Sequence, residues 1–246
     1  IGEMLKEAKS IYFIGIGGIN MSSLAHISHK RGYITGGSDR AASAITERLA
    51  ARGIRIYPSH EAENIRDYDA VVYTVAISED NPEYVEAKRR GIPCISRADY
   101  LGYLMTRFHT RIGIAGMHGK STCTAMCATL FLGTKDPTVL CGAEMPALGD
   151  SPCRIGASRE TIVFEACEYM DSFLDFSPTL AVVLNVGLDH VDYFHSMEQI
   201  RASFLRYAER TGENGTVLYN ADDRETCLAL RAFAGRHVTF ALDADA

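Results

Sequence analysis

The sequence has 246 residues, 47% of them hydrophobic and 23% charged, which predicts a folded chain of one large or two ordinary domains. A formal net charge of −6 argues against a nucleic-acid-binding surface and leaves local anion pockets open. No apolar run is long enough to cross a bilayer and no secretory signal is visible, so we expect no membrane insertion. Seven scattered cysteines, an odd number, favour free thiols and a cytoplasmic location.

The first half of the chain alternates strand-like apolar runs with helical stretches. It begins with a strand at 11–16, a glycine loop and a helix that ends near Arg31. The same alternation predicts a loop or short helix at 60–65, strands at 33–37, 54–57, 70–75 and 92–96, and helices at 44–52, 81–90 and 98–105. Repeated β–α–β units predict a parallel sheet with helices on both faces and with ligands at the carboxyl ends of its strands.

The loop after the first strand approximates the dinucleotide-binding fingerprint, with Gly15, Gly17 and Asn20 in its three places. Asn20 stands where a third glycine normally permits close packing of the helix on the strand. Asp39 follows the next strand, about 20 positions later, where an acidic residue holds a ribose hydroxyl in nicotinamide-binding folds. This half therefore predicts binding of a nucleotide diphosphate without saying which one.

The segment 112–124, IGIAGMHGKSTCT, has the layout of a phosphate site: a short apolar strand, a glycine turn and the start of a helix. Glycines let backbone N–H groups approach an anion, and the helix N-terminus adds a partial positive charge. Lys120 can reach a terminal phosphate and Ser121 can offer its hydroxyl to Mg²⁺. The pattern is a shortened Walker loop, Gly116-x-x-Gly119-Lys120-Ser121-Thr122.

After this loop the pattern predicts helices to about residue 132 and at 197–210 and 226–233, with strands at 138–141, 161–164, 180–184, 216–219 and 237–241. The segment 143–158 is rich in Gly, Pro and Ser and is expected to be a loop. Glu165 and His190 follow strands at the sheet edge that carries the phosphate loop, so they are candidate metal ligands together with Ser121. Asn220 follows another strand and suits an adenine or ribose contact.

Several motifs occur in one order: GIGGINMSSLAH, RADYLGYLM, AGMHGKSTCTAM, EACEYMDSFL, LNVGLDHVDYF and YNADD. Together they resemble the Mur ligase family of peptidoglycan synthesis over essentially the whole chain. The resemblance implies an α/β chain with a Rossmann-like, parallel-sheet domain at 1–108 that binds a UDP-sugar. It also implies a P-loop NTPase-like central α/β domain at 109–246, incomplete, with the family's C-terminal domain absent.

The activity implied by the resemblance is amide formation that consumes ATP, requires Mg²⁺, and joins L-alanine to the lactyl carboxylate of UDP-N-acetylmuramate through an acyl phosphate. By position, it assigns catalysis to Lys120, Glu165 and His190, and metal binding to Ser121, Glu165 and His190. It assigns ATP binding to Gly116, Met117, His118, Gly119, Lys120, Ser121, Thr122 and Asn220. It assigns the UDP-substrate to Gly17, Gly18, Asn20, Met21, Ser38, Asp39 and His60.

Because the chain lacks the last part of this architecture, we expect it to bind its UDP-substrate with little or no ligase activity. Three other functions stay open at this stage. A nicotinamide-dependent oxidoreductase would use Gly15, Gly17 and Asp39 but leaves Lys120 and Glu165 without roles. A folate-polyglutamate type of amide ligase would not need the N-terminal glycine loop, and a nucleotide-sensing fragment would bind without turnover.

Overall fold

The computed structural model describes residues 1–74, 77–145, 148 and 151–242, and the chain forms two compact units, Ile1–Tyr103 and Leu104–Ala246. Each unit contains its own sheet. The sequence-based domain boundary between residues 108 and 109 stays a prediction.

The first unit is built on a five-stranded parallel sheet with the order β3-β2-β1-β4-β5. Its elements are β1 (Ser10–Ile14), α1 (Ile19–Lys30), β2 (Ile34–Ser38), α2 (Ala44–Ala51), β3 (Arg55–Tyr57), a 3₁₀ helix (Ala62–Ile65), β4 (Ala70–Tyr73), α3 (Pro82–Arg90), β5 (Cys94–Ser96) and α4 (Arg97–Met105), whose last two residues belong to the second unit. All five residues of β1 are buried, as expected for a central parallel strand whose two faces are both covered.

The second unit is built on a seven-stranded sheet with the order β12-β11-β10-β6-β9-β7-β8. Its elements are β6 (Thr110–Ala115), α5 (Lys120–Leu132), β7 (Thr138–Met145), β8 (Ser151–Arg154), β9 (Thr161–Glu165), short helical turns over Tyr169–Asp175, β10 (Leu180–Val183), α6 (Met197–Glu209), β11 (Thr216–Asn220), α7 (Arg224–Leu230) and β12 (His237–Phe240). The central strands carry the core, in which Ile112, Ile114, Val163 and Val182 pack together.

The predicted α/β class and the alternating elements of both halves are confirmed, with shifts of a few residues at the ends. Helix α3 shows why its ends are readable from sequence. Asn81 accepts from the N–H groups of Glu83 and Tyr84 as the N-cap, Pro82 occupies the first turn, and Gly91 follows the helix with φ +70°.

The expectation of a loop over 143–158 is wrong in part. Strand β7 continues to Met145, and Ser151–Arg154 forms β8, which pairs antiparallel with β7. Residues 146, 147, 149 and 150 lie outside the described part. Strand β8 lies at the sheet edge, where a proline such as Pro152 is tolerated because it need not donate to a second neighbour. The second sheet is therefore mixed rather than fully parallel.

Within the described residues, no helix combines the length and apolar character needed to cross a membrane.

Replacement of a buried tyrosine by phenylalanine is expected to have opposite effects on stability at two positions. The hydroxyl of Tyr12 donates to Glu83 at 2.6 Å, whereas the hydroxyl of Tyr207 is buried with no hydrogen-bond partner in the described structure. Tyr12→Phe is expected to destabilise the first unit by about 1–3 kcal/mol because a buried carboxylate loses a donor. Tyr207→Phe is expected to leave the second unit equally stable or to stabilise it by up to about 1 kcal/mol.

Hydrogen exchange of the β1 and β6 amides measures the free energies of unfolding of the first and second units in one experiment. Destabilisation by Tyr207→Phe as large as that by Tyr12→Phe would show that the Tyr207 hydroxyl has a partner.

His26 predicts a pH dependence of the first unit's stability. Burial, assisted by the positive charges of Arg52 and Lys30, lowers the pKa of His26 from 6.5 to about 4. Between pH 6.5 and about pH 4, His26 is therefore protonated in the unfolded chain but not in the folded chain. The free energy of unfolding falls as pH decreases from 6.5 and stops falling below about pH 4. Urea unfolding at about pH 7 and about pH 4.5 should show a smaller loss in His26→Gln than in the parent chain. Equal losses in the two proteins would contradict this assignment.

Candidate nucleotide-binding sites

The phosphate loop connects β6 to α5 and leaves helix donors unpaired. Gly119 is the N-cap of α5 with φ +83°, a conformation that favours glycine. The helix's first backbone bond runs from the Cys123 N–H to the Gly119 carbonyl. The N–H groups of Lys120, Ser121 and Thr122 therefore precede the intrahelical ladder and are available to an anion, with the helix dipole in support.

Asn185, just beyond β10, holds the phosphate loop in place. Its side-chain oxygen accepts from the His118 N–H at 2.9 Å, and its side-chain nitrogen donates to the His118 carbonyl at 3.0 Å. Its backbone carbonyl accepts from the Met117 N–H at 3.2 Å. Gly116, with φ +146°, lies against the same segment, and a Cβ there would come within 3.2 Å of the Asn185 nitrogen.

Lys120 is held over the loop by oxygen acceptors on two sides. Its ammonium donates to the Gly116 carbonyl at 2.6 Å and to the Glu168 carboxylate at 3.0 Å. Only 1% of the Glu168 side chain is exposed, and the same carboxylate lies 3.4 Å from the His190 Nε2. The opposite charge of Lys120 compensates this buried carboxylate.

Ser121 and Glu165 form a second cluster at the start of α5. The Ser121 hydroxyl donates to Glu165 Oε2 at 2.9 Å, and the Gly142 N–H donates to the same oxygen at 2.9 Å. Two neighbouring oxygen ligands beside unpaired helix donors form a set that Mg²⁺ accepts, since it binds few protein groups and keeps several waters. The described residues contain no group of three or more His, Cys, Asp or Glu side chains arranged to hold a metal.

His190 lies in the segment after β10, in a backbone conformation with φ +51° that non-glycine residues seldom adopt. Its ring packs on Tyr169, with the ring centroids 4.6 Å apart, and about a third of its side chain is exposed. Non-glycine residues in this conformation often belong to functional sites, because surrounding contacts must maintain them.

Glu168 contacts two predicted site residues, because its carboxylate lies 3.0 Å from the Lys120 ammonium and 3.4 Å from His190 Nε2.

Asn220 ends β11, two strands away from β6 in the sheet. Its side-chain oxygen accepts from the Asp222 N–H at 3.0 Å, which shapes the turn after the strand. The structure therefore brings together most of the predicted phosphate-site residues and leaves Asn220 outside that cluster. Its assignment to ATP stays a prediction.

In the first unit, the glycine loop is held against the end of β2 by Asp39. The Asp39 carboxylate accepts from the Gly17 N–H at 2.9 Å and from the Ala41 N–H at 3.1 Å. A Cβ on Gly17 would lie 2.6 Å from the Asp39 carboxylate, so this close approach requires glycine. Gly18 and Asn20 are exposed at the start of α1. The helix's first backbone bond runs from the Ser22 N–H to the Gly18 carbonyl, so the Asn20 N–H precedes the ladder and is available to an anion.

A cavity of about 510 Å³ lies beside Asp39 in the same unit. Its walls include Asp39, Arg40, His60, Ser78, Asp80 and Asn81. Two predicted substrate residues do not reach this surface directly: the Met21 side chain is buried in the core, and Ser38 is fully buried. The Ser38 hydroxyl donates instead to Glu83, in the first turn of α3.

Three residues with clear roles were missed by the sequence reasoning: Glu83, Glu168 and Asn185. Glu168 and Asn185 stand in the strand-end segments EACE and LNVG, so polar groups at those sheet edges were the available signal. Glu83 carried no such signal, because an acidic residue in the first turn of a helix is ordinarily explained by the helix dipole.

The chain has two α/β units, one on a parallel sheet and one on a mixed sheet, and a glycine-lysine-serine loop begins a helix in the second. This is the architecture of a P-loop nucleotide-binding protein. Comparison with family models gives a match to the Mur ligase family, catalytic domain, over residues 10–109 and to the Mur ligase middle domain over residues 114–246. The chain belongs to the Mur ligase family.

Relatives and solved structures agree with this membership. The chain is 45% identical to UDP-N-acetylmuramate–L-alanine ligase of Acetivibrio thermocellus over 96% of its own length and 50% of that protein. It is 43% identical to the ligase of the same name from Caldanaerobacter subterraneus, covering 97% of this chain and 52% of that one. The chain thus spans about half the length of the curated relatives it matches.

Among solved structures, the UDP-N-acetylmuramate-alanine ligase MurC of Thermotoga maritima matches with a TM-score of 0.79 and 31% identity, over 95% of this chain and 53% of that chain. The UDP-N-acetylmuramate:L-alanyl-gamma-D-glutamyl-meso-diaminopimelate ligase of Neisseria matches with a TM-score of 0.82 and 26% identity. The match covers 94% of this chain and 78% of that chain.

Asn185 gives a prediction for the phosphate loop. Asn185→Ala removes two side-chain hydrogen bonds to His118, so the His118 amide is expected to exchange its hydrogen at least about tenfold faster. Asn220→Ala is the matched control, because Asn220 caps a turn elsewhere on the sheet and should leave His118 exchange unchanged. An unchanged exchange rate in Asn185→Ala would show that the loop holds its shape without this side chain.

Proposed function

We propose that the chain supplies the UDP-sugar-binding and ATP-binding parts of a ligase that joins L-alanine to UDP-N-acetylmuramate with consumption of ATP. The observation that carries the proposal is the phosphate loop, in which Lys120 and the free N–H groups at the start of α5 converge beside the Ser121–Glu165 pair. The two curated relatives described above are named as ligases of UDP-N-acetylmuramate and L-alanine, and these are the two substrates proposed for this chain.

ATP suits the second unit because its donors match a polyphosphate. The unpaired N–H groups of α5 and the ammonium of Lys120 are donors only, and phosphate oxygens are strong acceptors. To meet a terminal phosphate, Lys120 leaves Glu168, and His190 remains beside that carboxylate. Ser121 and Glu165 would hold Mg²⁺, which neutralises phosphoryl charge when bound.

The UDP-sugar suits the first unit because a glycine loop and a polar cavity meet at the carboxyl end of its sheet. The N–H groups of Asn20 and Met21 precede the first intrahelical bond of α1 and can donate to a diphosphate. The N–H groups of Gly17 and Gly18 already have partners, so these glycines would let the diphosphate approach rather than bind it. Asp39 and His60 line the adjoining cavity, whose volume of about 510 Å³ lies in the range of small-molecule sites.

In the proposed reaction, the lactyl carboxylate attacks the γ-phosphorus of ATP, ADP leaves, and an acyl phosphate forms. The amine of L-alanine then attacks the acyl carbon, loses a proton and expels inorganic phosphate, which leaves the amide. Most of the work is positioning and charge compensation rather than covalent chemistry by the protein. Lys120 would offset charge on the phosphoryl oxygens. Glu165 ends β9 and His190 lies beyond β10, and these two strands flank β6, which leads into the phosphate loop.

Calorimetric titration with ATP and Mg²⁺, and separately with UDP-N-acetylmuramate, tests this assignment on the chain itself. Lys120→Ala is expected to weaken ATP binding by at least about tenfold and to leave UDP-N-acetylmuramate binding unchanged. Lys135→Ala is the matched control, since this exposed lysine lies just beyond α5 and should change neither affinity.

Binding of NADH in place of UDP-N-acetylmuramate would overturn the proposal in favour of a nicotinamide-dependent activity. Equal ATP affinity of Lys120→Ala and the parent chain would remove the phosphate loop from the account.

A further inference from the structure

Glu83 is a fully buried carboxylate two residues after Asn81, which lines the cavity of the first unit, and four side chains contact it. Oε1 accepts from the Tyr12 hydroxyl at 2.6 Å and from the Asn64 amide at 2.9 Å. Oε2 accepts from the Ser38 hydroxyl at 2.6 Å and lies 2.9 Å from His60 Nδ1. Four partners thus surround the two oxygens of this carboxyl group.

Tyr12 and Ser38 are committed as donors in this cluster. Burial, with the neighbouring negative charge of Glu83, raises the pKa of Tyr12 far above its usual range, which keeps the hydroxyl hydrogen in place. Ser38 has a single hydroxyl hydrogen, and Glu83 accepts it. The remaining contact of Ser38, at 2.8 Å from His60 Nδ1, therefore needs its hydrogen from the imidazole ring.

The ring of His60 is thereby fixed in orientation. A hydrogen on Nδ1, shared by Glu83 and Ser38, directs that nitrogen toward the protein interior. His60 lines the cavity with 11% of its side chain exposed, and Nε2 is the nitrogen left to face it. A partner that fixes one ring nitrogen decides what the other can offer to a ligand.

We propose that Glu83 is a positioning residue of the cavity, which holds a hydrogen on His60 Nδ1 so that Nε2 meets a polar group of the ligand. The identity of that ligand, UDP-N-acetylmuramate, rests on the proposed function, whereas the state of the ring does not. Glu83 itself contacts no ligand and acts through His60.

Nitrogen-15 NMR of the histidine rings tests the first part on the full chain without any ligand. The His60 signals are identified by their loss in His60→Ala. A protonated Nδ1 is the expected result. A neutral ring that carries its only hydrogen on Nε2 would overturn the proposal.

A double-mutant cycle tests the second part through the dissociation constant of UDP-N-acetylmuramate. Glu83→Gln is expected to weaken binding by about fivefold to thirtyfold in the parent chain, and by less than about twofold when His60 is already alanine. Glu86→Gln, on the more exposed side of the same helix, is the control and should change nothing. A purely structural role would give Glu83→Gln the same effect in both backgrounds, and that result would overturn the proposal.

Two further outcomes are distinguishable. If Glu83→Gln does not fold, Ser38→Ala takes its place in the cycle, because it removes one of the two acceptors of the Nδ1 hydrogen, and the same dependence on His60 is expected. If the parent chain does not bind UDP-N-acetylmuramate, the proposed function fails for this cavity, and the NMR result alone decides the role of Glu83.

Discussion

A carboxylate removed from water must be compensated by hydrogen bonds or by opposite charge, and each unit of this chain contains one at its candidate site. Glu83 is compensated by four donors on separate segments, which fixes the side chains beneath the first cavity. Glu168 is compensated mainly by Lys120, a cation that a phosphate can also attract. The donors around Glu83 therefore favour rigidity. The Lys120–Glu168 pair differs, because a phosphate at the loop could compete with Glu168 for the Lys120 ammonium.

The elements that the sequence predicts well are those whose signals are local. Apolar runs between glycine turns identify the parallel strands, and Asn81, Pro82 and Gly91 mark the ends of α3. The phosphate loop is equally local, because the glycines, Lys120 and Ser121 occupy one short segment. The β7–β8 hairpin is missed since its edge strand contains proline and small polar residues, whose local preference indicates a loop.

The features that escape the sequence depend on contacts between distant segments. Glu83 meets Tyr12 across 71 positions, and Asn185 meets His118 across 67. Nothing in the neighbourhood of either residue indicates its partner, because burial of a polar group is decided by packing rather than by local pattern. For the same reason Ser38, predicted as a substrate contact, lies fully buried and donates to Glu83.

The proposed ATP site depends on Lys120 exchanging Glu168 for a phosphate. A crystal structure of the chain with Mg²⁺ and a non-hydrolysable ATP analogue would show whether this exchange occurs. We expect the terminal phosphate to lie over the start of α5, with the Lys120 ammonium bonded to it and no longer bonded to Glu168. A nucleotide bound elsewhere, or bound at the loop with the Lys120–Glu168 pair intact, would show that Lys120 does not make this exchange.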